Sequence, residues 1–389
     1  MKRILLLTAS FGDGHNQAAH AIEEALQQFP NTVVKVVDYV EWLHPAVRSF
    51  AKFSLMQGVQ RIPRLYGLFY KSMSRIHPSS SLQRQLNHLG ISKMMRCIKS
   101  FNPNVIASTF PTPTGVVSEL RQSGVTTVPN VAIVTDYTAH RQWFHTHTDR
   151  YFVATESVRR ELIDYGIPKS AIEVTGIPIR NKFSDARVRD LLSRRDVERE
   201  RIGLKPDIPV ILLMGGGGGI LGDPDEWENC IETSDAQFVI ICGHNDKLYR
   251  RFELLSSERV RVLGYTTDVD RFMAVSDMIV TKPGGLTLTE SLAMELPMML
   301  FKPIPGQEER NAKYALETGA AVLTNSVSEA MAFIKFVRLH PERLDMMRQA
   351  AKEQGVRGAA ERIASSILEM STAHRANFAR SIESLLYPS

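Results

Sequence analysis

The sequence predicts an α/β protein of two Rossmann-like, doubly wound domains in tandem. Three observations predict it. The chain has 389 residues, more than the size at which a single core keeps growing, so two domains of ordinary size are expected. Apolar, strand-like runs alternate with helical segments in two successive series, the pattern of a parallel sheet covered by helices. Each series also carries glycine-rich turns directly after an apolar run, where open α/β sheets bind their ligands. The boundaries read as an N-terminal domain over 1–180, a C-terminal domain over 181–365 and a helical tail over 366–389.

The first series opens with "ILLLTASFGDGHNQAAHAIEEAL", residues 4–26. It reads as a strand, a turn at Gly12-Asp13-Gly14-His15, and a helix with apolar positions every three to four residues. Two glycines at such a turn let backbone N–H groups approach an anion, because a helix N-terminus presents unpaired donors and the positive end of a dipole. The third glycine of a dinucleotide fingerprint is missing, although Asp38, ending "VVKVVDYV", stands near the spacing of a ribose-binding acid. An imidazole at a helix N-terminus has its proton affinity lowered, so it stays neutral near pH 7 and can accept a proton. That suits His15 as a general base. The alternative is that His15 caps or packs the turn.

From Trp42 to Ser118 there is no Asp or Glu, while Arg48, Lys52, Arg61, Arg64, Lys71, Arg75, Arg84, Lys93, Arg96 and Lys99 all lie there. Phe50, Phe53, Tyr66, Phe69 and Tyr70 are interleaved with them. A segment of this kind binds an anionic bilayer face, each near-surface cation contributing about 1 kcal/mol. Nucleic acid is the competing partner and is set below the membrane; the further alternative is that the apolar residues face the protein's own core and the cations are solvated outside. The series continues through "VIAST", "VAIVTD" and "YFVAT".

After "VTGIPIRNKF" (174–183) a charged stretch, "ARVRDLLSRRDVERERIGLKPD", reads as a helix leading into a new domain. The second series is "PVILLMGG", "QFVIICG", "VRVLGY", "MIVTKPG" and "PMMLFKP". Its first strand runs into Gly215, Gly216, Gly217, Gly218 and Gly219, whose bare amides allow close approach of a diphosphate. The alternative is a flexible hinge. In "TKPGGLTLTE" the turn at Pro283-Gly284-Gly285 starts a helix, placing amides and the Thr287 hydroxyl at a positive helix end. Thr287 and Glu290 also have the spacing of a capping box; the functional alternative is that Glu290 accepts from ribose hydroxyls. Gln307, Glu308 and Asn311 of "PGQEERNA" offer amide and carboxylate groups of the kind that read sugar hydroxyls.

Composition narrows the class further. The net charge is +5, with 43% hydrophobic and 23% charged residues, as in a folded globular protein. Cys97, Cys230 and Cys242 are odd in number, widely spaced and without a C-x-x-C pair, so neither a disulfide framework nor a zinc site is indicated, and a reducing cytoplasm fits. The apolar run after Met-Lys-Arg is too short for a signal peptide, and no run approaches the roughly 20 residues of a spanning helix. The expectation is a protein that does not span the membrane.

Gly-Asp-Gly-His near the start, the glycine run, "TKPGGLTLTE" and "PGQEERNA", in that order over nearly the full length, resemble the family 28 glycosyltransferases. More narrowly, the chain resembles the diacylglycerol glucosyltransferases of Gram-positive bacteria and the monogalactosyldiacylglycerol synthases of plastids. "VTDYTAHRQWFH" (134–145) is similar to a motif of that subgroup, with Asp136, His140 and Trp143 at its Asp, His and Trp positions. The resemblance implies a GT-B fold, two domains facing a central cleft. It also implies a UDP-glucose or UDP-galactose donor held by the C-terminal domain and a diacylglycerol acceptor presented to the N-terminal one.

The reaction implied is inverting transfer of a hexose at the cytoplasmic face of the cell membrane, by a peripheral protein on anionic lipid. His15 is the first choice of base, with Asp136 its competitor or orienting group. The amides of Gly215 to Gly219 and the helix after Gly285 would oppose the charge developing on UDP, so no metal or other cofactor is expected. Gly12, Gly14, His140, Trp143 and the cations Arg61, Arg64, Lys71 and Arg75 are assigned to the acceptor and the membrane. "TKPGGLTLTE" leans towards glucose. A UDP-N-acetylglucosamine 2-epimerase, a glycosyltransferase acting on another lipid, and a nucleotide-sugar sensor without turnover are the competing readings.

Overall fold

The computed structural model describes residues 1–10, 13–42, 90–216, 219 and 221–386. These form two compact units, one of Met1–Asn181 with Gly358–Ser389 and one of Lys182–Arg357.

In the first unit β1 (Lys2–Thr8) leads into α1 (Asp13–Gln27) and β2 (Thr32–Asp38). Then follow α2 (Ile91–Phe101), β3 (Val105–Ser108), α3 (Pro111–Gln122), β4 (Asn130–Ile133), β5 (Arg150–Val153), α4 (Glu156–Asp164) and β6 (Ile172–Val174). All neighbours in the sheet pair in parallel, in the order β2-β1-β3-β4-β5-β6. The sequence reverses direction across the sheet between β1 and β3, which makes that gap the topological switch point. Alternation along β1 serves both faces. Ile4 and Leu6 pack towards Ile22, Ala25 and Leu26 of α1. Leu5 and Leu7 pack towards Met94 and Cys97 of α2 and Val116, Val117 and Leu120 of α3.

The second unit begins with α5 (Asp185–Ser193) and α6 (Arg195–Arg201), two short helices where one was expected. It continues with β7 (Val210–Met214), α7 (Pro224–Thr233), β8 (Gln237–Ile241), α8 (Asp246–Phe252), β9 (Val260–Leu263) and α9 (Val269–Val275). Next are β10 (Met278–Thr281), α10 (Gly285–Ala293), β11 (Met298–Phe301), α11 (Gln307–Glu317), β12 (Ala321–Thr324), α12 (Val327–Leu339) and α13 (Pro341–Gln354). The parallel order is β12-β11-β10-β7-β8-β9, so the switch point lies between β7 and β10. Arg199, 4% exposed, ties α6 beneath this sheet through Val275 O at 2.8 Å, Pro206 O at 2.7 Å and Asp277 Oδ2 at 2.7 Å.

The last helix, α14 (Ala359–Leu386), joins the first unit. This corrects the expected boundary at 365/366: the chain leaves the second unit at Arg357. The reason is a stripe of apolar residues at helical spacing, Ala360, Ile363, Ala364, Ile367 and Leu368, all buried against the α1 face of the first sheet. Among the described residues no helix is long and apolar enough to cross a membrane.

Candidate active site

The two switch points carry most of the expected site residues that are described. In the first unit, α1 begins at Asp13, so Gly14 and His15 lie in its first turn instead of in a preceding loop. Thr8 Oγ1 donates to Asn16 Oδ1 at 2.8 Å, fastening the end of β1 to that turn. Across the switch point, Thr109 follows β3 and continues the ladder by donating its N–H to Leu7 O at 2.9 Å. Its hydroxyl donates to His15 O at 3.1 Å, and its carbonyl lies 2.8 Å from His15 Nδ1. A third contact comes from the segment after β4, where Thr135 Oγ1 lies 3.0 Å from the same ring nitrogen. Phe110 presents an edge to the imidazole, ring centroids 5.0 Å apart.

These partners assign the tautomer. A carbonyl oxygen only accepts, so Nδ1 carries the hydrogen and the neutral ring keeps its lone pair on Nε2. Burial pushes the His15 pKa below its ordinary 6.5, opposed by the charge of Asp136 and the bond to the Thr109 carbonyl. The ring is therefore neutral at pH 7, with an acceptor nitrogen available. This is the chemistry of a base oriented by its backbone, as in catalytic histidines whose second nitrogen fixes the first.

Asp136, 6% exposed, lies in the same segment as Thr135. His140 is half-buried, with its ring 6.3 Å from that of Trp143. Trp143 is 1% exposed, so its indole is packed in the interior of the unit beside His140. Asp38 Oδ1 accepts from Ser10 N at 3.2 Å and Val40 N at 2.9 Å, so that oxygen shapes the turn after β1. Sequence reasoning did not single out Thr109 or Thr135, whose parts depend on strand ends brought together by the fold.

In the second unit three loops cluster at the C-terminal ends of neighbouring strands β7, β10 and β11. Gly215 leaves β7, and Gly216 and Gly219 adopt φ of 76° and 65°, a region that disfavours side chains. Gly219 N donates to Gly216 O at 2.9 Å, closing the turn. A Cβ on Gly219 would stand 2.1 Å from the carbonyl oxygen of Cys242. Glycine is thus demanded there by packing against the end of β8, which a mere hinge would not require. Beside that contact His244 and Tyr265 stack with centroids 4.2 Å apart and planes at 14°, a feature unmarked in the sequence.

Gly284 is the N-cap of α10, and Gly285 its first residue. Thr287 therefore lies inside the first turn, so Thr287 and Glu290 do not form a capping box. Thr289 and Ser291 return their hydroxyls to the helix, at Gly285 O and Thr287 O, both 2.8 Å; Thr287 and Glu290 are half-exposed. At the third loop, Glu308 Oε2 accepts from Ile304 N at 2.9 Å and Glu309 Oε2 from Gly306 N at 3.1 Å. Gln307 is half-buried. Asn311, 1% exposed, donates from Nδ2 to Pro283 O at 3.2 Å. That amide binds the third loop to the second.

Two Asp-x-Asp triplets also occur in this unit, and the structure accounts for three of their four carboxylates. Asp223 caps α7 by accepting from Asp225 N at 3.0 Å, while Asp225 pairs with Arg251. Asp268 is the N-cap residue of α9, and Asp270, 3% exposed, faces Arg187 at 3.4 Å and Lys182 at 3.9 Å. Among the described residues no group of three or more His, Cys, Asp or Glu is placed to hold a metal ion. Gly12, Gly217, Gly218, Arg61, Arg64, Lys71 and Arg75 lie outside the described residues.

Residues 15–179 match the monogalactosyldiacylglycerol (MGDG) synthase family, and 224–363 the glycosyltransferase family 28 C-terminal domain. A processive diacylglycerol beta-glucosyltransferase of Bacillus licheniformis is 31% identical over 374 residues, covering 95% of both chains. The chain belongs to glycosyltransferase family 28. Within family 28 it falls in the diacylglycerol glucosyltransferase and MGDG synthase subgroup; a Bacillus subtilis protein of the same name is 30% identical, over 95% of this chain and 96% of that one. The fold is GT-B. Acinetobacter baumannii MurG superposes with a TM-score of 0.60 at 16% identity, over 95% of this chain and 100% of that one. The UDP-GlcNAc 2-epimerase of Neisseria meningitidis gives 0.59 at 15%, over 95% and 99%. At such identities the likeness is one of fold.

Proposed function

We propose that this family 28 glycosyltransferase transfers glucose from UDP-glucose to diacylglycerol with inversion. The observation that carries the reading is the oriented Nε2 of His15 at a switch point, in a chain whose relatives bear the name diacylglycerol beta-glucosyltransferase. A β-linked product from an α-linked nucleotide sugar requires inversion, and inversion requires a base on the attacking hydroxyl. Nε2 takes the proton of the acceptor hydroxyl as its oxygen bonds to the anomeric carbon. The bond from that carbon to the UDP oxygen breaks, and UDP departs as the anion.

The donor is assigned to the second unit. Amides of Gly215, Gly216 and Gly219 and the N-terminus of α10 flank the switch point and oppose charge as it develops on the diphosphate. In this reading they take the place of a metal. Glu290 and Gln307 are the candidates for hydroxyl contacts. Glu308 keeps only part of its carboxylate for that task, since one oxygen serves Ile304 N.

Action at a membrane surface is supported by the described end of the acid-free segment. On α2, Lys93, Arg96 and Lys99 are exposed on one side, with Met95 42% exposed among them. Met94, Cys97 and Phe101 hold the opposite side in the core. Cations around an exposed methionine suit an anionic headgroup layer.

The test is to give the purified protein vesicles of anionic lipid and diacylglycerol, offer UDP-glucose and UDP-galactose separately, and resolve the lipids. A glycolipid from UDP-glucose that persists in EDTA and disappears in His15→Ala supports the reading. A ladder of products reports how many sugars are added. UDP release or sugar isomerisation without glycolipid overturns it in favour of an epimerase or another acceptor.

A further inference from the structure

The segment linking β4 to β5 carries two of the groups that act on the imidazole of His15, Thr135 by contact and Asp136 by its charge. It is irregular in its first part, so its own backbone does not fix it. It is instead held from the side by α4, whose Glu161 Oε2 accepts from Ala139 N at 2.7 Å and from Thr138 Oγ1 at 3.2 Å. Two donors converge on one carboxylate oxygen, and the shorter bond is charge-assisted, the strong kind. Thr138 and Ala139 are 3% and 0% exposed, so water does not readily replace the carboxylate there. The contact lies two residues beyond Asp136 and three beyond Thr135. α4 is anchored in turn, with Val158 and Leu162 fully buried and the Thr155 side chain capping Val158 N.

We propose that Glu161 is a positioning residue for His15, clamping residues 138–139 so that Thr135 keeps its contact with the imidazole. The proposal rests on His15 being the base of the transfer. Glu161 itself touches no substrate in it. The carboxylate acts by removing freedom from a loop that would otherwise sample several arrangements, and a misplaced base is a slow one.

The experiment compares Glu161→Ala and Glu161→Gln in the full chain. Glu161→Ala lowers kcat about ten- to a hundredfold and leaves KM for the UDP-sugar unchanged, because no donor loop is touched. Glu161→Gln keeps an acceptor oxygen at the same reach and holds kcat within about threefold of wild type. In ¹⁵N spectra of the imidazole, all three keep the Nδ1–H form set by the Thr109 carbonyl; Glu161→Ala shifts the ring signals because Thr135 loses its place beside Nδ1, and Glu161→Gln resembles wild type. Unchanged His15 signals and kcat in Glu161→Ala overturn the proposal. So does an equal loss in both variants that follows lowered thermal stability. If Glu161→Ala does not fold, Thr138→Val removes one of the two bonds and is read by the same signals: altered ring nitrogens support the clamp and unaltered ones reject it. The ring signals do not depend on glycosyl transfer, so a wild-type protein that makes no glycolipid rejects the proposed function while the clamp is still decided.

Discussion

His15 Nδ1 donates to the carbonyl oxygen of Thr109 at 2.8 Å, joining the helix after β1 to the loop after β3 across the switch point. Replacing the ring by alanine removes the proposed base. His15→Ala is expected to lose about 10²- to 10⁴-fold in kcat with UDP binding by calorimetry unchanged. Because burial lowers the His15 pKa, the acid limb of the wild-type pH–rate profile should lie below 6.5. A limb at or above that value would exclude this ring as the group seen.

Two glycines of the second unit separate fold from ligand. Gly219 has φ of 65° and no room beside the Cys242 carbonyl, so Gly219→Ala should cost about 1–3 kcal/mol or more of stability. Gly284 has φ of −73° and nothing within 4 Å of a built Cβ. Gly284→Ala should leave the melting temperature unchanged and weaken UDP binding if the diphosphate docks against α10. Unaltered UDP affinity in this variant would move the diphosphate elsewhere.

Asn311 predicts a mixed effect. Its amide donates to a buried carbonyl of the Pro283 turn, and a buried acceptor left without its donor costs about 1–3 kcal/mol. Asn311→Ala should lower the melting temperature by a few degrees and raise KM for the UDP-sugar more than it lowers kcat. Asn311→Asp should be worse, since a carboxylate only accepts.

His145 links pH to stability. It is 8% exposed, and burial pushes its pKa down to about 4, opposed by backbone hydrogen bonds to Pro111 and Gln142. In the folded protein the ring is neutral below the pH at which the unfolded chain has taken up a proton. The unfolded state thus binds more protons between pH 6.5 and about 4, and stability falls as pH falls through that window. The slope amounts to about 1.4 kcal/mol per pH unit from this residue; His15 adds in the same direction. Urea midpoints measured across the window should flatten in His145→Gln relative to wild type.

What the sequence disclosed followed from strong local patterns. Ten of the twelve described strands lie in the apolar runs read from it; β6 (Ile172–Val174) and β12 (Ala321–Thr324) were not anticipated. Both are short edge strands with partly exposed residues, and three or four residues carry too little periodicity to be seen. Residue types at loops were legible, but their partners were not. Asp38 was picked out by its distance along the chain, but that one of its oxygens holds Ser10 N and Val40 N could not be read there. Thr287 looked like a cap because the helix start could be read three residues late. Thr109, Thr135 and Glu161 carry no local signal, since each acts on a residue far away in sequence.

The first unit is interrupted by the whole of the second and completed only by α14. On the ribosome, the surface of α1 and β1 that Ile363, Ile367 and Leu368 will cover emerges early. It must wait while the second unit is made, on the order of ten seconds at ordinary rates of translation. A nascent chain in that interval carries an open greasy face next to a unit that already has its entire sequence. The order of assembly is therefore nested: the part made in the middle is free to finish first, and the part that bears His15 is closed by the last segment translated.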